Sequence, residues 1–202
     1  MYDFNLYPSL NQDKVDHIKA KYPVKLRLIM VARLIPFKRH ILVLPIIKKL
    51  ISEGFDIHLF ILDEGPEEEK LKSYCTKNKL NNHVSFIGYT QEFLEYMCAS
   101  DLLIHPSLTE ASNNVVKEIG LLEKAVAVCR GVGDFDDYLQ DGENGFLMDI
   151  VDPSTDIENV VRKVYNDDDP NIGMNLRKTI LEKFNNNEKV LEQYVSLIQS
   201  YS

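Results

Sequence analysis

The sequence has no tryptophan, only three cysteines in 202 residues, and no excess of positive charge. The missing tryptophan carries no functional meaning. Cys75, Cys98 and Cys129 cannot all pair within the chain, lie far apart and form no CxxC spacing. That argues against a disulfide framework and against a zinc site, and a reduced, cytosolic setting is the simplest expectation. Lysine and arginine number 23 against 31 aspartates and glutamates, a net charge of −8. A general nucleic-acid binder would show a basic excess, so no nucleic-acid partner is expected, although a local basic pocket for a phosphate stays open. No apolar run approaches the roughly 18 residues of a membrane span. Residues 1–10 lack the basic-then-apolar pattern of a signal peptide. There is no internal repeat and no GxSxG, Walker A or HExxH pattern. His17, His40, His58 and His83 show no metal-ligand spacing.

What is present is the material of a core. Apolar residues make up 45% and charged residues 27%, which excludes wholesale disorder. A compact chain of this length buries about 70% of its unfolded surface. Residues 1–24 are polar and mixed; they hold a short helical candidate, Gln12 to Lys21, and end at Pro23. They read as a lead-in or linker and not as core.

From Lys25 the pattern changes. Short apolar runs at 26–31, 57–62, 84–87, 102–105, 125–129 and 145–148 have the marks of buried strands. Between them lie helical stretches at 40–53, after Pro66, at 93–99, at 114–122 and, briefly, at 135–139. Gly54 stands where a helix C′ glycine belongs. Alternation of this kind predicts a Rossmann-like, doubly wound parallel sheet of six strands with helices on both faces. Helical candidates follow at 154–165, 172–184 and 188–201. In the last of these Val190, Leu191, Tyr194, Leu197 and Ile198 form one apolar stripe, which docks either on its own domain or on a partner surface.

In such sheets ligands bind at the carboxyl ends of the strands, so the loops there carry the candidate chemistry. Arg33 and Lys38 follow the first strand; two cations beside helix amides make an anion site, and two solvated surface cations explain this segment equally well. Glu110 and Glu118 stand eight residues apart around the start of a helix, with Ser112, Asn113 and Asn114 as capping types. Carboxylates accept from hydroxyls, so this loop suits a sugar or ribose better than an anion; taken alone, Glu118 fits an ordinary exposed helix position better. Gly131 and Gly133 allow close approach of backbone to a ligand, or form a plain tight turn. His105 ends a strand and reads as a packed histidine.

Taken in order, these loops resemble a known family. Ala32-Arg33-Leu34 with Lys38, Asp63-Glu64-Gly65-Pro66, Phe86-Ile87-Gly88, Asp101 with Pro106-Ser107, the Glu110-x7-Glu118 pair, and Asp141-Gly142 with Gly145 are similar to the motifs of the donor-binding half of GT-B, GT4-like retaining glycosyltransferases. The resemblance covers about residues 25–202. It implies a nucleoside-diphosphate sugar as ligand, with no metal required. Arg33 and Lys38 would hold the diphosphate. Glu118 would bind the ribose, Glu110 would contact the sugar, and Gly65, Ser112, Asn113, Asn114 and Val115 would line the donor site. Glu110, Arg33 and Lys38 are the catalytic candidates. Departures from the pattern include Ala32, Arg39 and Ala111, each where glycine is usual, and Asp134 where a second glycine is usual.

The family's fold has two such domains facing a cleft. This length therefore implies 1–24 as interdomain lead-in, 25–184 as the nucleotide-sugar domain, and 185–202 as a helix crossing to a missing N-terminal acceptor domain in the same polypeptide or a separate subunit. The whole enzyme would transfer the sugar to a glycan or lipid-linked acceptor in polysaccharide biosynthesis, and this chain alone would be inactive. It would be cytoplasmic, peripheral at the inner membrane face only through the missing half. The alternative is a non-catalytic binding or assembly module on the same half-fold. A flavodoxin- or response-regulator-like domain fits poorly, because neither an acidic phosphoacceptor pocket nor a flavin loop is present.

Overall fold

The strands are mostly apolar because both faces of the sheet are covered. All six residues of β2 (Ile57–Leu62) and all four of β4 (Leu102–His105) are buried, as expected for a parallel sheet between helical layers. The computed structural model describes residues 10–167 and 169–184. With β1 (Leu26–Val31), β3 (Val84–Gly88), β5 (Ala125–Cys129) and β6 (Phe146–Met148), these strands form one sheet in the order β3-β2-β1-β4-β5-β6, with every pair parallel. The six-stranded Rossmann-like layer expected from the sequence is thus present. The chain builds outward from β1 to β3, then returns through α4 (Phe93–Ala99) to lay β4 on the other side of β1. The strand order reverses between β1 and β4, and that crevice is where an open α/β sheet binds its ligands.

The first helix, α1 (Gln12–Lys21), corrects the expectation for the lead-in. Asn11 caps it by accepting from the Lys14 amide at 3.2 Å. Val15 and Ile18, one turn apart, are buried in the main core, and the helix packs against α4. Tyr22, just beyond it, packs edge-on against Phe60 with ring centroids 4.8 Å apart. This part of the segment is core and not linker.

The remaining helices follow the predicted order: α2 (His40–Ser52), α3 (Glu68–Lys77), α5 (Asn114–Leu121), α6 (Ser154–Asn166) and α7 (Asn171–Phe184). Pro66 lies just outside α3, because Glu67 occupies the N-cap position. The short helix expected at 135–139 is a single 3-10 turn, Phe135–Asp137. The helix expected at 188–201, with its stripe from Val190 to Ile198, lies outside the described residues. Helix α6 covers α2, and α7 covers α5.

Candidate functional site

The rim at the carboxyl ends of the strands is built by backbone contacts between loops. The loop after β1 accepts the turn after β2: Leu34 donates to Glu64 O at 3.0 Å, and Glu67 donates to Leu34 O at 2.9 Å. Gly65 is required by that approach, since a Cβ there would sit 2.5 Å from the Leu34 carbonyl oxygen. On the other side Leu108, after β4, donates to Phe37 O at 2.9 Å. These bonds bring the predicted residues of the first and fourth loops together.

Lys38 ends a 3-10 turn, Pro36–Lys38. Its ammonium pairs with Glu110 Oε1, which also takes a hydrogen bond from His105 Nε2 at 2.6 Å. A carboxylate only accepts, so the proton on Nε2 points to Glu110. The Asn113 amide nitrogen lies beside the same ring nitrogen at 3.2 Å, while Asn113 Oδ1 caps α5 by accepting from the Val116 amide. Arg33 is exposed, and its guanidinium makes no ion pair among the described residues. Ser112 is tied elsewhere, to Lys117 and Asp134. Asn114 opens α5 on its exposed side, Val115 is half-buried against the core, and Glu118 is half-buried on the same helix.

The electrostatics of this group follow from its contacts. Burial opposes ionisation of Glu110, but the hydrogen bonds and charges of His105 and Lys38 outweigh it and bring the carboxyl from 4.5 to about 2. Its ionised form therefore stabilises the fold. That stabilisation is fully present above about pH 4.5 and disappears as the pH falls toward 2. Glu110→Gln is expected to remove this part of the acid dependence. Urea midpoints measured between pH 5 and pH 2.5 check it, and parallel curves for the two proteins would refute it. His40, the first residue of α2, is fully buried with neither ring nitrogen partnered. Burial, then His105 and Lys38, push it down to about 4, so it is neutral near pH 7.

Arg39 explains one departure from the family pattern. Its backbone is left-handed, φ 54°, the conformation that favours glycine. Its buried guanidinium donates to Pro106 O at 2.6 Å, Ile150 O at 2.7 Å and Cys129 Sγ at 3.2 Å. It thereby joins the loops that follow β1, β4 and β6. Both Arg39→Ala and Arg39→Gly lose these bonds, but only alanine keeps the strained backbone. The glycine variant is expected to be more stable than the alanine variant by about 0.5–1 kcal/mol in urea denaturation. The reverse order would refute this account.

A cleft of about 460 Å³ opens over the ends of β1, β2 and β3, lined among others by Val31, Leu62, Asp63, Gly88, Tyr89 and Thr90. Its size is that of a small-molecule site. Tyr89 is 77% exposed, which leaves an aromatic face open beside the cleft. The cleft and the Lys38–Glu110 pair flank β1 on opposite sides. The sequence had marked these loops without assigning the cleft, and it had read His105 as merely packed. An exposed tyrosine directly after Phe86-Ile87-Gly88 was the available signal for the first, and the short spacing from His105 to Glu110 for the second. Among the described residues no group of three or more His, Cys, Asp or Glu is placed to hold a metal ion, and no helix is long and apolar enough to cross a membrane.

Comparison with known proteins agrees with this layout. The chain is 22% identical over 203 residues to the poly(ribitol-phosphate) alpha-N-acetylglucosaminyltransferase of Staphylococcus aureus strain COL, covering 97% of this chain and 40% of the relative. It is 23% identical over 159 residues to the phosphatidylinositol N-acetylglucosaminyltransferase GPI3 subunit of Saccharomyces cerevisiae strain YJM789, covering 75% of this chain and 35% of the relative. The chain thus spans about two fifths or less of the curated relatives it matches. Among solved structures, Anabaena Alr3699/HepE in complex with UDP and glucose superposes with a TM-score of 0.82 at 20% identity, over 96% of this chain and 55% of that one. The C-terminal domain of a glycosyl transferase group 1 family protein from Francisella tularensis superposes at 0.76 and 18% identity, over 91% of this chain and 98% of that one. The fold is that of one half of a GT-B glycosyltransferase. Residues 11–183 match the glycosyl transferases group 1 family, and the chain belongs to that family.

Proposed function

We propose that this chain is the donor-binding half of a retaining glycosyltransferase and that it takes a UDP-sugar. The observation that carries the proposal is the pairing of Lys38 with Glu110 at the β1–β4 crevice, with Arg33 on the same loop as Lys38. The base would enter the cleft over β1–β3, where Tyr89 offers a face. The diphosphate would reach Arg33 and Lys38; an ammonium has three donors, so Lys38 can hold Glu110 and a phosphate oxygen together. Glu118 would accept from the ribose hydroxyls, and Glu110 would meet the sugar with its orientation held by His105. UDP is favoured because solved neighbours, Alr3699/HepE among them, carry UDP.

Breaking the sugar–phosphate bond leaves its electron pair on the diphosphate oxygen. Fixed cations at that position stabilise the developing charge. The acceptor, a glycan or a lipid-linked sugar, would be supplied by a second domain, and transfer would need both halves. Calorimetry of the chain with UDP, GDP and ADP in the presence of EDTA tests the proposal. Saturable binding of UDP in preference to the other two is expected. Failure of the folded chain to bind any of them would overturn it in favour of a binding or assembly module.

A further inference from the structure

Lys117 is a lysine that α5 buries, 2% exposed. Its ammonium lies 2.7 Å from Asp134 Oδ2 and 2.6 Å from Ser112 Oγ, and the Ser112 hydroxyl donates to the same Asp134 oxygen at 2.9 Å. Lysine donates twice, serine accepts once and donates once, and aspartate accepts, so the ring of hydrogen bonds closes without conflict. The ring face of Phe184, at the end of α7, is 4.6 Å from the ammonium. The group therefore joins three separate segments: the loop that carries Glu110, the loop after β5, and the end of α7. The contact between the two loops is close, since a Cβ on Gly133 would lie 3.0 Å from Glu110 Cβ and 3.1 Å from Ala111 O.

Packing alone does not call for these charges. α5 already buries Val116, Ile119 and Gly120, and apolar side chains in place of a buried ion pair are often neutral or stabilising. What the pair adds is direction: it ties Ser112, two residues from Glu110 and next to Asn113, to the loop after β5. We propose that Lys117 and Asp134 are positioning residues that clamp the Glu110–Asn113 loop and so fix where the donor sugar sits. This rests on the donor-site proposal above. The clamp acts on the sugar more than on the nucleotide, because the backbone of the loop that bears Arg33 and Lys38 is held outside the clamped loop, by Leu34 to the turn after β2 and by Phe37 to Leu108.

The test uses the whole chain and the double variant K117M/D134L, which removes both charges together. Hydrogen exchange of residues 111–116 is expected to speed up roughly tenfold or more, with the protection of the strands kept. Unchanged exchange in that loop would overturn the clamp. Calorimetry then compares UDP with UDP-N-acetylglucosamine. The variant is expected to keep its affinity for UDP within about twofold and to lose the difference that the sugar makes. Equal loss on both ligands, or loss on neither, would overturn the positioning role. Should the wild-type chain bind neither ligand, the donor-site proposal falls, and the exchange measurement still decides the clamp. The single variant K117M, which leaves Asp134 without its cation, is expected to be less stable than the double variant; the opposite order would mean that the pair is not what holds the loop.

Discussion

Lys38→Ala is expected to weaken UDP binding by tenfold or more. A charge-assisted hydrogen bond contributes roughly 1.5–3 kcal/mol, which is about ten- to over a hundredfold in affinity. The truncation does more than remove a donor. In the protein Lys38 neutralises Glu110, whose carboxylate is held ionised. Without the ammonium that carboxylate keeps only His105 and faces the incoming diphosphate as a like charge. Glu118→Ala, which removes the proposed ribose acceptor, is expected to cost a similar factor of about ten. Glu110→Gln removes the repulsion and leaves the amide in place, so UDP binding should hold or improve while the contribution of the sugar falls. Calorimetry on the three variants separates these effects. Unchanged affinity in both Lys38→Ala and Glu118→Ala would refute the assignment of the site.

Gly173→Ala is expected to destabilise the fold, although alanine is the better helix former by about 1 kcal/mol. Gly173 sits in the first turn of α7, where the helix crosses the turn that ends α5. A Cβ there would lie 2.0 Å from the Glu123 carbonyl oxygen and 3.0 Å from the Lys124 nitrogen. Both obstacles are backbone, and Glu123 already holds a left-handed conformation with φ 60°, so it has little room to yield. The neighbouring Gly120 is different: a Cβ there would meet side-chain atoms of Ile180 and Leu176 and no backbone, so the obstacle can shift without moving the main chain. Displacing α7 at Gly173 also disturbs the seats of Leu176 and Ile180, both fully buried. A loss of about 3 kcal/mol is expected, a fall in melting temperature of roughly 6–12 °C for a domain of this size. Gly120→Ala should cost less. A melting temperature at or above that of the wild type for Gly173→Ala would contradict the packing described.

The strands were legible because each one is a short apolar run in a sheet covered on both faces, and the alternation with helices left little choice of architecture. The site loops were legible for a related reason: each follows a strand, so order along the chain maps onto one rim of the sheet. What escaped notice was held by few residues or by partners distant in sequence. α1 reads as polar because only Val15 and Ile18 turn inward, yet two buried side chains on a capped helix suffice to seat it. The bond from His105 to Glu110 was signalled only by their short spacing, and it forms because the loop folds back within five residues. Lys117 looks like any helical lysine until Asp134, 17 residues on, is brought against it. The cleft beside Tyr89 draws on the ends of three strands, and no single stretch of sequence contains it.

The position of β1 in the middle of the sheet has a consequence for how the chain is made. During synthesis β1, β2 and β3 leave the ribosome well before β4. The Arg27 amide waits for Asp101, 74 residues later in the chain. At roughly 5–20 residues per second the gap lasts some seconds. For that time the strand bearing the Arg33–Lys38 loop is an open apolar edge, the kind of surface that invites pairing with another chain. The same strand that anchors the Arg33–Lys38 loop is therefore an open edge of the nascent chain until β4 docks against it.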